Sequence, residues 1–454
     1  LSLTKLGIKG LDDILNQIYR GSIILVAGNP GTGKTTIGAK FLYEGLRQFN
    51  ENGLYLSFVE TKKDFYRNML NLGMNFESYE KDNRFKYIEA VTVTDINALI
   101  DLLQEVLNMI DKLNAKRLVV DSISAVMQMG DKNEGKIREL MHNFFYRGPK
   151  LKEVTTILIA ELPYGKKSVG YGIEEFITDG VVILKSKIIK RKLIRLMEIR
   201  KMRGNEISVG EVPFIIGSPD IISFRVPPNI NAIPSGISPT KEYVELKIGT
   251  NKIPFAPGTQ NMFITNPSID PLPFISTFII PTLLVKGYKI VYRSYFHGEK
   301  TIRDRIGKCL EYYPRNYQQL ISNLSIRNLN PSSKSIIDLE MTAESIERYE
   351  KPDIVIVEGL GTYIDLVSDM ETYKEEHYNN LIRRAANSIT GFYFIHELEE
   401  NMMKIPLINV YDSIFYLNIK DKNLVLKSIR NYLKVVPLDP IEIDARNVES
   451  CFMV

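Results

Sequence analysis

The octet Gly28-Asn29-Pro30-Gly31-Thr32-Gly33-Lys34-Thr35 follows an apolar run at residues 22–27 without a spacer and opens a helical stretch near residue 34. This G-x-x-x-x-G-K-[ST] order constrains the fold more than any other segment, because it demands a buried strand, a glycine turn and a helix N-terminus in succession. The small residues let backbone N–H groups curl round phosphate oxygens, and the helix dipole favours their charge. Lys34 is placed to reach the outer phosphates and the Thr35 hydroxyl to ligate magnesium. Asn29, Pro30, Gly31, Thr32, Gly33, Lys34, Thr35 and Thr36 are therefore the expected binding residues, with ATP and Mg2+ as their ligands.

The pattern around the octet alternates. A strand is expected at 53–58, a helix starting near Thr61, an amphipathic helix around 94–113, and strands at 117–120 and 155–160 flanking a helix at 132–146. Strands near 181–185 and 193–199 form an expected hairpin. Such alternation predicts an α/β fold with a mostly parallel sheet. At 454 residues the chain exceeds one ordinary core, and residues 217–240 carry Pro219, Pro227, Pro228, Pro234 and Pro239 with Gly217 and Gly236. That composition resists helix and sheet, so domains are expected at 1–225 and 241–454 with a linker at 226–240.

The second half repeats the first. Asn29-Pro30 returns as Asn266-Pro267, Gly53 to Glu60 as Gly287 to Ser294, the strand ending at Asp121 as Ile354 to Glu358, and Thr178-Asp179 as Tyr411-Asp412. The offsets, 237, 234, 237 and 233 residues, are nearly constant, which predicts a diverged copy of the same fold.

A phosphate-binding loop needs a second magnesium-organising group, and Asp121 closes the apolar strand Leu118-Val119-Val120. Hydrolysis also needs a group to position or deprotonate water. Glu60 is the candidate base, on a strand expected beside that of the loop, and Glu161 is the candidate sensor of the outer phosphate. In the second half Pro271 and Leu272 stand at the places of Lys34 and Thr35, Glu358 replaces Asp121 and Ser294 replaces Glu60. A loop of Ser268-Ile269-Asp270-Pro271-Leu272-Pro273 loses flexibility and donors and adds an anion, so no magnesium-ATP site of the usual kind is expected there.

A net charge of +4, with 25% charged residues, gives no global argument for a nucleic-acid or membrane partner. The apolar stretches are strand-length, well short of the roughly 20 residues of a membrane span. Cys309 and Cys451 form no ligand-spaced cluster, which fits a reducing cytoplasm. The basic run Lys185, Lys187, Lys190, Arg191 and Lys192 at the hairpin tip, with Lys166 and Lys167 in the preceding loop, leaves DNA as the alternative partner.

Taken together, Gly7-Ile8-Lys9-Gly10-Leu11-Asp12-Asp13, the glycine loop, Ser57-Phe58-Val59-Glu60-Thr61, Val120-Asp121-Ser122, Tyr171 to Phe176, Asp179 and Lys201-Met202-Arg203-Gly204 resemble the KaiC-like branch of the RecA/RadA ATPases. The resemblance covers most of the first half and implies two tandem RecA-like domains and a homo-oligomeric ring, usually hexameric, with ATP between subunits. It also implies that Lys201, Met202 and Arg203 contact a neighbour's nucleotide, Arg203 as a catalytic arginine finger. The family usually carries two adjacent glutamates after the second strand, and here the first is Val59, which implies slow turnover. The second domain then serves as a scaffold or protein-partner surface. In clock-type members that domain is phosphorylated on adjacent Ser and Thr, and the matching residues here, Ile408 and Asn409, have no hydroxyl.

Overall fold

The first strand explains the architecture that follows. In β1 (Ile23–Gly28) every residue is buried, with Ile23, Leu25 and Ala27 in one apolar cluster and Ile24 and Val26 in another. A strand whose alternate side chains both meet core must lie inside a sheet covered on two faces. A computed structural model shows that arrangement. It describes the chain apart from residues 1, 16, 94, 129–133, 163, 164, 166–176, 190, 208, 218, 219, 227–230, 232, 234–241, 312–316, 368, 422, 434–437 and 445–454. Lys166, Lys167, the Tyr171 to Phe176 motif, Lys190 and most of the proline-rich segment lie outside the described residues.

The chain divides into two compact units, Leu1–Pro227 and Pro228–Val454. The first continues with β2 (Gly53–Ser57), β3 (Phe85–Glu89), β4 (Arg117–Asp121), β5 (Thr155–Glu161), β6 (Gly180–Ile189), β7 (Lys192–Met202), β8 (Glu211–Gly217) and β9 (Ile221–Phe224). Their order across the sheet is β9-β8-β7-β6-β1-β5-β4-β2-β3, parallel from β6 to β3 and antiparallel beyond. Helices fill the crossovers. α1 (Lys34–Gln48) starts at the glycine loop, and α2 (Lys62–Asn71) is capped by Thr61, whose hydroxyl accepts the Asp64 N–H. In α3 (Ile96–Leu113) the buried Leu99, Leu102, Leu103, Val106 and Ile110 follow helical spacing, so one face packs on the sheet. α4 (Glu134–Phe145) precedes β5.

Two sequence expectations shift here. The stretch from 217 contains a strand, because Ile222 and Phe224 are buried against β8, and apart from Pro219 its prolines lie beyond that strand. The strand leading to Glu60 is not beside β1: β5 and β4 lie between them.

The second unit opens with a hairpin, β10 (Val244–Ile248) and β11 (Asn251–Phe255). Its sheet contains β12 (Gln260–Thr265), β13 (Ile290–Ser294), β14 (Leu324–Asn328), β15 (Ile354–Glu358), β16 (Thr390–His396), β17 (Ser413–Lys420), β18 (Asn423–Arg430) and β19 (Ile441–Asp444). The order β14-β13-β15-β16-β12-β17-β18-β19 reproduces β3-β2-β4-β5-β1-β6-β7-β8 strand for strand. Single hydrogen bonds repeat too: Ile23 N–H donates to Asp179 Oδ2 at 3.0 Å, and Gln260 N–H to Asp412 Oδ2 at 2.7 Å. The chain is thus an α/β protein with two mixed, mostly parallel sheets.

The repeat also corrects one equivalence. Ser57 Oγ accepts the N–H groups of Val59 and Glu60, and Ser294 Oγ accepts those of Phe296 and His297. Ser294 therefore matches Ser57, and the residue at the place of Glu60 is His297, 237 residues on. The offset of 234 slipped the register by three, because Gly287 precedes β13 whereas Gly53 begins β2.

Candidate functional site

Gly28, Ser57, Asp121 and Glu161 end four neighbouring parallel strands at one edge. In register Gly28 pairs with Glu161, Ile159 with Asp121, and Asp121 with Ser57. The carboxyl edge of a parallel sheet is where α/β folds place ligands.

The glycine loop is held from within. Thr32, fully buried, donates its hydroxyl to Asn29 O at 2.8 Å, and Asn29 Nδ2 donates to Leu162 O at 2.6 Å. Gly33 has φ 102°, in the left-handed region, a conformation that favours glycine. Pro30 and Gly31 form the exposed tip, and Thr36 is half-buried on the first turn of α1. Lys34 Nζ donates to Gly28 O at 2.9 Å and Asn29 O at 3.0 Å. Burial lowers its pKa, opposed by the nearby carboxylates of Glu161 and Asp121.

Asp121 Oδ2 accepts two hydroxyl hydrogen bonds, from Thr35 Oγ1 at 2.8 Å and from Tyr55 at 2.7 Å. Burial raises the Asp121 pKa, while Tyr55, Thr35 and Lys34 favour its charged form. Thr35 and Asp121 thus present adjoining oxygen donors, a pairing that suits Mg2+. Tyr55 was not singled out from the sequence. The available signal was a phenol at the centre of a fully buried strand, whose hydroxyl must find a partner.

Glu161 is exposed and its backbone N–H donates to Ser124 Oγ at 2.8 Å. Its carboxylate is close enough to Lys34 and Asp121 to influence both. Glu60 stands further along the edge. Its N–H donates to Ser57 Oγ at 3.0 Å, its carbonyl accepts the Tyr87 hydroxyl at 2.7 Å, and its carboxylate accepts Asn68 Nδ2 at 2.6 Å. Burial raises its pKa, and Asp121 adds to the shift. Val59 beside it is 56% exposed and uncharged.

Lys201, Met202 and Arg203 are not brought to this loop. Met202 pairs with Gly180, which pairs with Ile24 at the opposite end of β1. About 13 Å of strand, four residues at about 3.3 Å each, separates that rung from Gly28. Lys201 Nζ donates to Thr178 O at 2.8 Å, and Arg203 Nη1 lies 3.4 Å from Asp179 Oδ1 with its side chain 52% exposed. The Met202 side chain is buried against Gly180. At the hairpin, Lys185 pairs with Glu198 and Glu211 at 2.5 and 3.0 Å and Lys187 approaches Glu211 at 3.8 Å, so these cations are matched by local acids.

No helix among the described residues is long and apolar enough to cross a membrane. Residues 4–228 match the family model "ATPase: KaiC". Curated relatives match the same half. The circadian clock oscillator protein KaiC of Prochlorococcus marinus (strain MIT 9313) is 33% identical over 227 residues, 48% of this chain and 45% of that protein. That of Thermostichus vulcanus is 34% identical over 225 residues, 46% and 42% of the two chains, and that of Parasynechococcus marenigrum (strain WH8102) 34% over 229 residues, 48% and 44%. The matched region is thus less than half of each relative. The glycine loop, Asp121 and the strands that position them all fall inside it, and the first unit of this chain is similar to the KaiC ATPase family along nearly its whole length.

Proposed function

We propose that the first unit binds magnesium-ATP at the Gly28–Thr36 loop and hydrolyses it slowly, as one subunit of a regulatory ring whose second unit binds no nucleotide. The observation that carries this reading is the meeting of Lys34, Thr35 and Asp121 around a loop whose Gly33 holds a left-handed backbone. Thr35 and Asp121 would hold the magnesium, which supplies positive charge against the phosphates. Lys34, already desolvated, needs only to exchange two carbonyl acceptors for phosphate oxygens. The backbone N–H groups of residues 31–36 bind, and Glu161 sits where it can sense the outer phosphate through Lys34.

Slow turnover follows from the far end of the edge. Val59 contributes no carboxylate, and Glu60 is engaged by Asn68, so one acid, partly committed to a neighbouring helix, orients the water. Glu60→Gln is expected to lower single-turnover hydrolysis at least about 100-fold, the low end for loss of a positioned base, with ATP affinity within a few-fold of the parent. An unchanged rate would place Glu60 outside catalysis, and a parent without measurable hydrolysis would assign the unit to nucleotide sensing, the reading favoured by the Glu60–Asn68 hydrogen bond.

Arg203 cannot serve its own loop across the length of β1, so it would act on the nucleotide of an adjacent subunit. Arg203→Ala is expected to keep ATP binding and lose at least about 100-fold in rate, below the usual worth of an arginine finger. Mixed with Lys34→Ala, which keeps Arg203, it regains activity at interfaces that combine one intact loop with one intact arginine. Failure of the mixture to exceed either variant alone would place Arg203 outside catalysis. Ile408 and Asn409 form part of a short turn before Asp412 and carry no phosphorylatable group, so the proposed regulation runs through nucleotide state and not through phosphorylation there.

A further inference from the structure

The corrected register places three chemically unusual residues together in the second unit. Counting 237 residues on, Asp270 stands at the place of Gly33, His297 at that of Glu60 and Glu358 at that of Asp121. The same backbone bond fixes the last two in each unit: Phe58 N–H donates to Asp121 O, and Tyr295 N–H to Glu358 O. Substituted into the scaffold of a magnesium-nucleotide site, these residues produce one imidazole between two carboxylates. His297 Nδ1 lies 2.5 Å from Glu358 Oε1, and Nε2 lies 3.6 Å from Asp270 Oδ2. One donor atom from each of the three falls within 4.8 Å of the others.

The cluster is built and oriented. Glu358 is fully buried, and its second oxygen accepts the Ser294 hydroxyl at 2.6 Å. Asp270 caps a short helix by accepting the Leu272 N–H on Oδ1 at 2.9 Å, which leaves Oδ2 toward the imidazole. Its side chain is 38% exposed, so the group opens to solvent on that side, where Arg305 approaches at 3.7 Å. A separate observation points into the same space. The Tyr292 hydroxyl is fully buried, with the carboxylates of Glu358 and then Asp270 as its charged neighbours. Tyr55, its counterpart, donates to Asp121. Glu358 directs its two oxygens to Ser294 and His297, with the Tyr292 phenol beside them.

We propose that Asp270, His297 and Glu358 bind a divalent transition-metal ion, so that the second unit has exchanged a nucleotide site for a metal site. An imidazole with two carboxylates suits Zn2+, Co2+ or Mn2+, whereas Mg2+ favours oxygen alone. Three protein ligands on a side open to solvent leave room for water or a small ligand in the remaining position. Pro271 and Leu272, which remove the lysine and hydroxyl a triphosphate requires, do not obstruct such a site.

The test is titration of the metal-stripped full-length chain with Co2+, followed by visible absorption, with bound metal counted by elemental analysis after gel filtration. One Co2+ per chain is expected, displaced by Zn2+, with an imidazole-dependent spectrum. His297→Ala should abolish that spectrum. Asp270→Asn, at a solvent-exposed position, should weaken binding at least about 10-fold without disturbing the fold, and unchanged thermal unfolding separates ligand loss from misfolding. A wild-type chain that takes up no Co2+ or Zn2+, or an unchanged spectrum and stoichiometry in His297→Ala, would overturn the proposal.

Discussion

Replacing Lys34 with alanine is expected to lower the affinity for magnesium-ATP at least about 100-fold and to bring hydrolysis to background. The magnitude follows from the surroundings of the ammonium. Lys34 is 9% exposed and donates to two loop carbonyls, so its desolvation is already accomplished in the folded chain. Charge-assisted hydrogen bonds are worth about 1.5–3 kcal/mol each, and two exchanged for phosphate contacts account for a loss of that size. Stability should change little, because each freed carbonyl keeps another donor: Gly28 O accepts the Leu162 N–H and Asn29 O the Thr32 hydroxyl. Calorimetric titration with ATP and Mg2+ checks both affinity and stoichiometry. One ATP per chain in the parent and none in the variant supports a single site. A variant that retains stoichiometric, parent-like binding would move the site away from this loop, and one bound ATP surviving per parent pair would show that the second unit also takes nucleotide.

The loop was legible because its signal is local. Glycine, lysine and threonine at fixed spacing dictate a turn whose backbone does the binding, and no distant contact was needed to see it. Asp121 was nearly as plain, since an acid ending a buried strand finds the loop through strand order alone. Glu60 was harder. Its side chain was correctly placed at the sheet edge, but its distance from β1 depends on two strands that come later in the chain, and sequence alone leaves their insertion open. Tyr55 and Ser124 act through hydrogen bonds between elements 66 and 37 residues apart, beyond any local pattern. In the second half the repeat itself was visible, but a three-residue slip concealed His297. The slip arose from matching glycines, which mark turns of variable length. The serine at the end of each strand was the better landmark, because its hydroxyl binds two backbone N–H groups and fixes the turn that follows.

Arg384→Met is the substitution expected to cost the second unit most, about 3 kcal/mol. Arg384 lies on the helix Met370–Ala386 and is fully buried. It forks onto Glu347 of the helix Ile336–Glu350, with Nη2 2.5 Å from Oε1 and Nε 3.0 Å from Oε2, and donates to the Tyr393 hydroxyl, which in turn donates to Gln260 on β12. Burial alone would raise the Glu347 pKa, but Arg384 and then Arg383 hold it well below the ordinary carboxylate range. Breaking one partner from a buried pair costs about 3–5 kcal/mol, and the lower figure applies because Arg383 remains. The pH dependence distinguishes lost charge from lost packing. A depressed carboxylate contributes stability that is present above its unfolded pKa, 4.5, and is lost as pH falls toward the lower folded value. In the variant Glu347 loses its main counter-charge, its folded pKa rises, and protonation relieves the buried anion. The deficit between parent and variant should therefore be greatest at neutral pH and shrink as pH approaches 4.5 from above, in the denaturant transition that added ATP does not protect. A deficit independent of pH would assign the loss to packing, and Arg384→Met combined with Glu347→Leu should then recover none of it. With the charge as cause, the double variant recovers a substantial part, because two apolar side chains replace a pair whose attraction had largely been offset by its own desolvation.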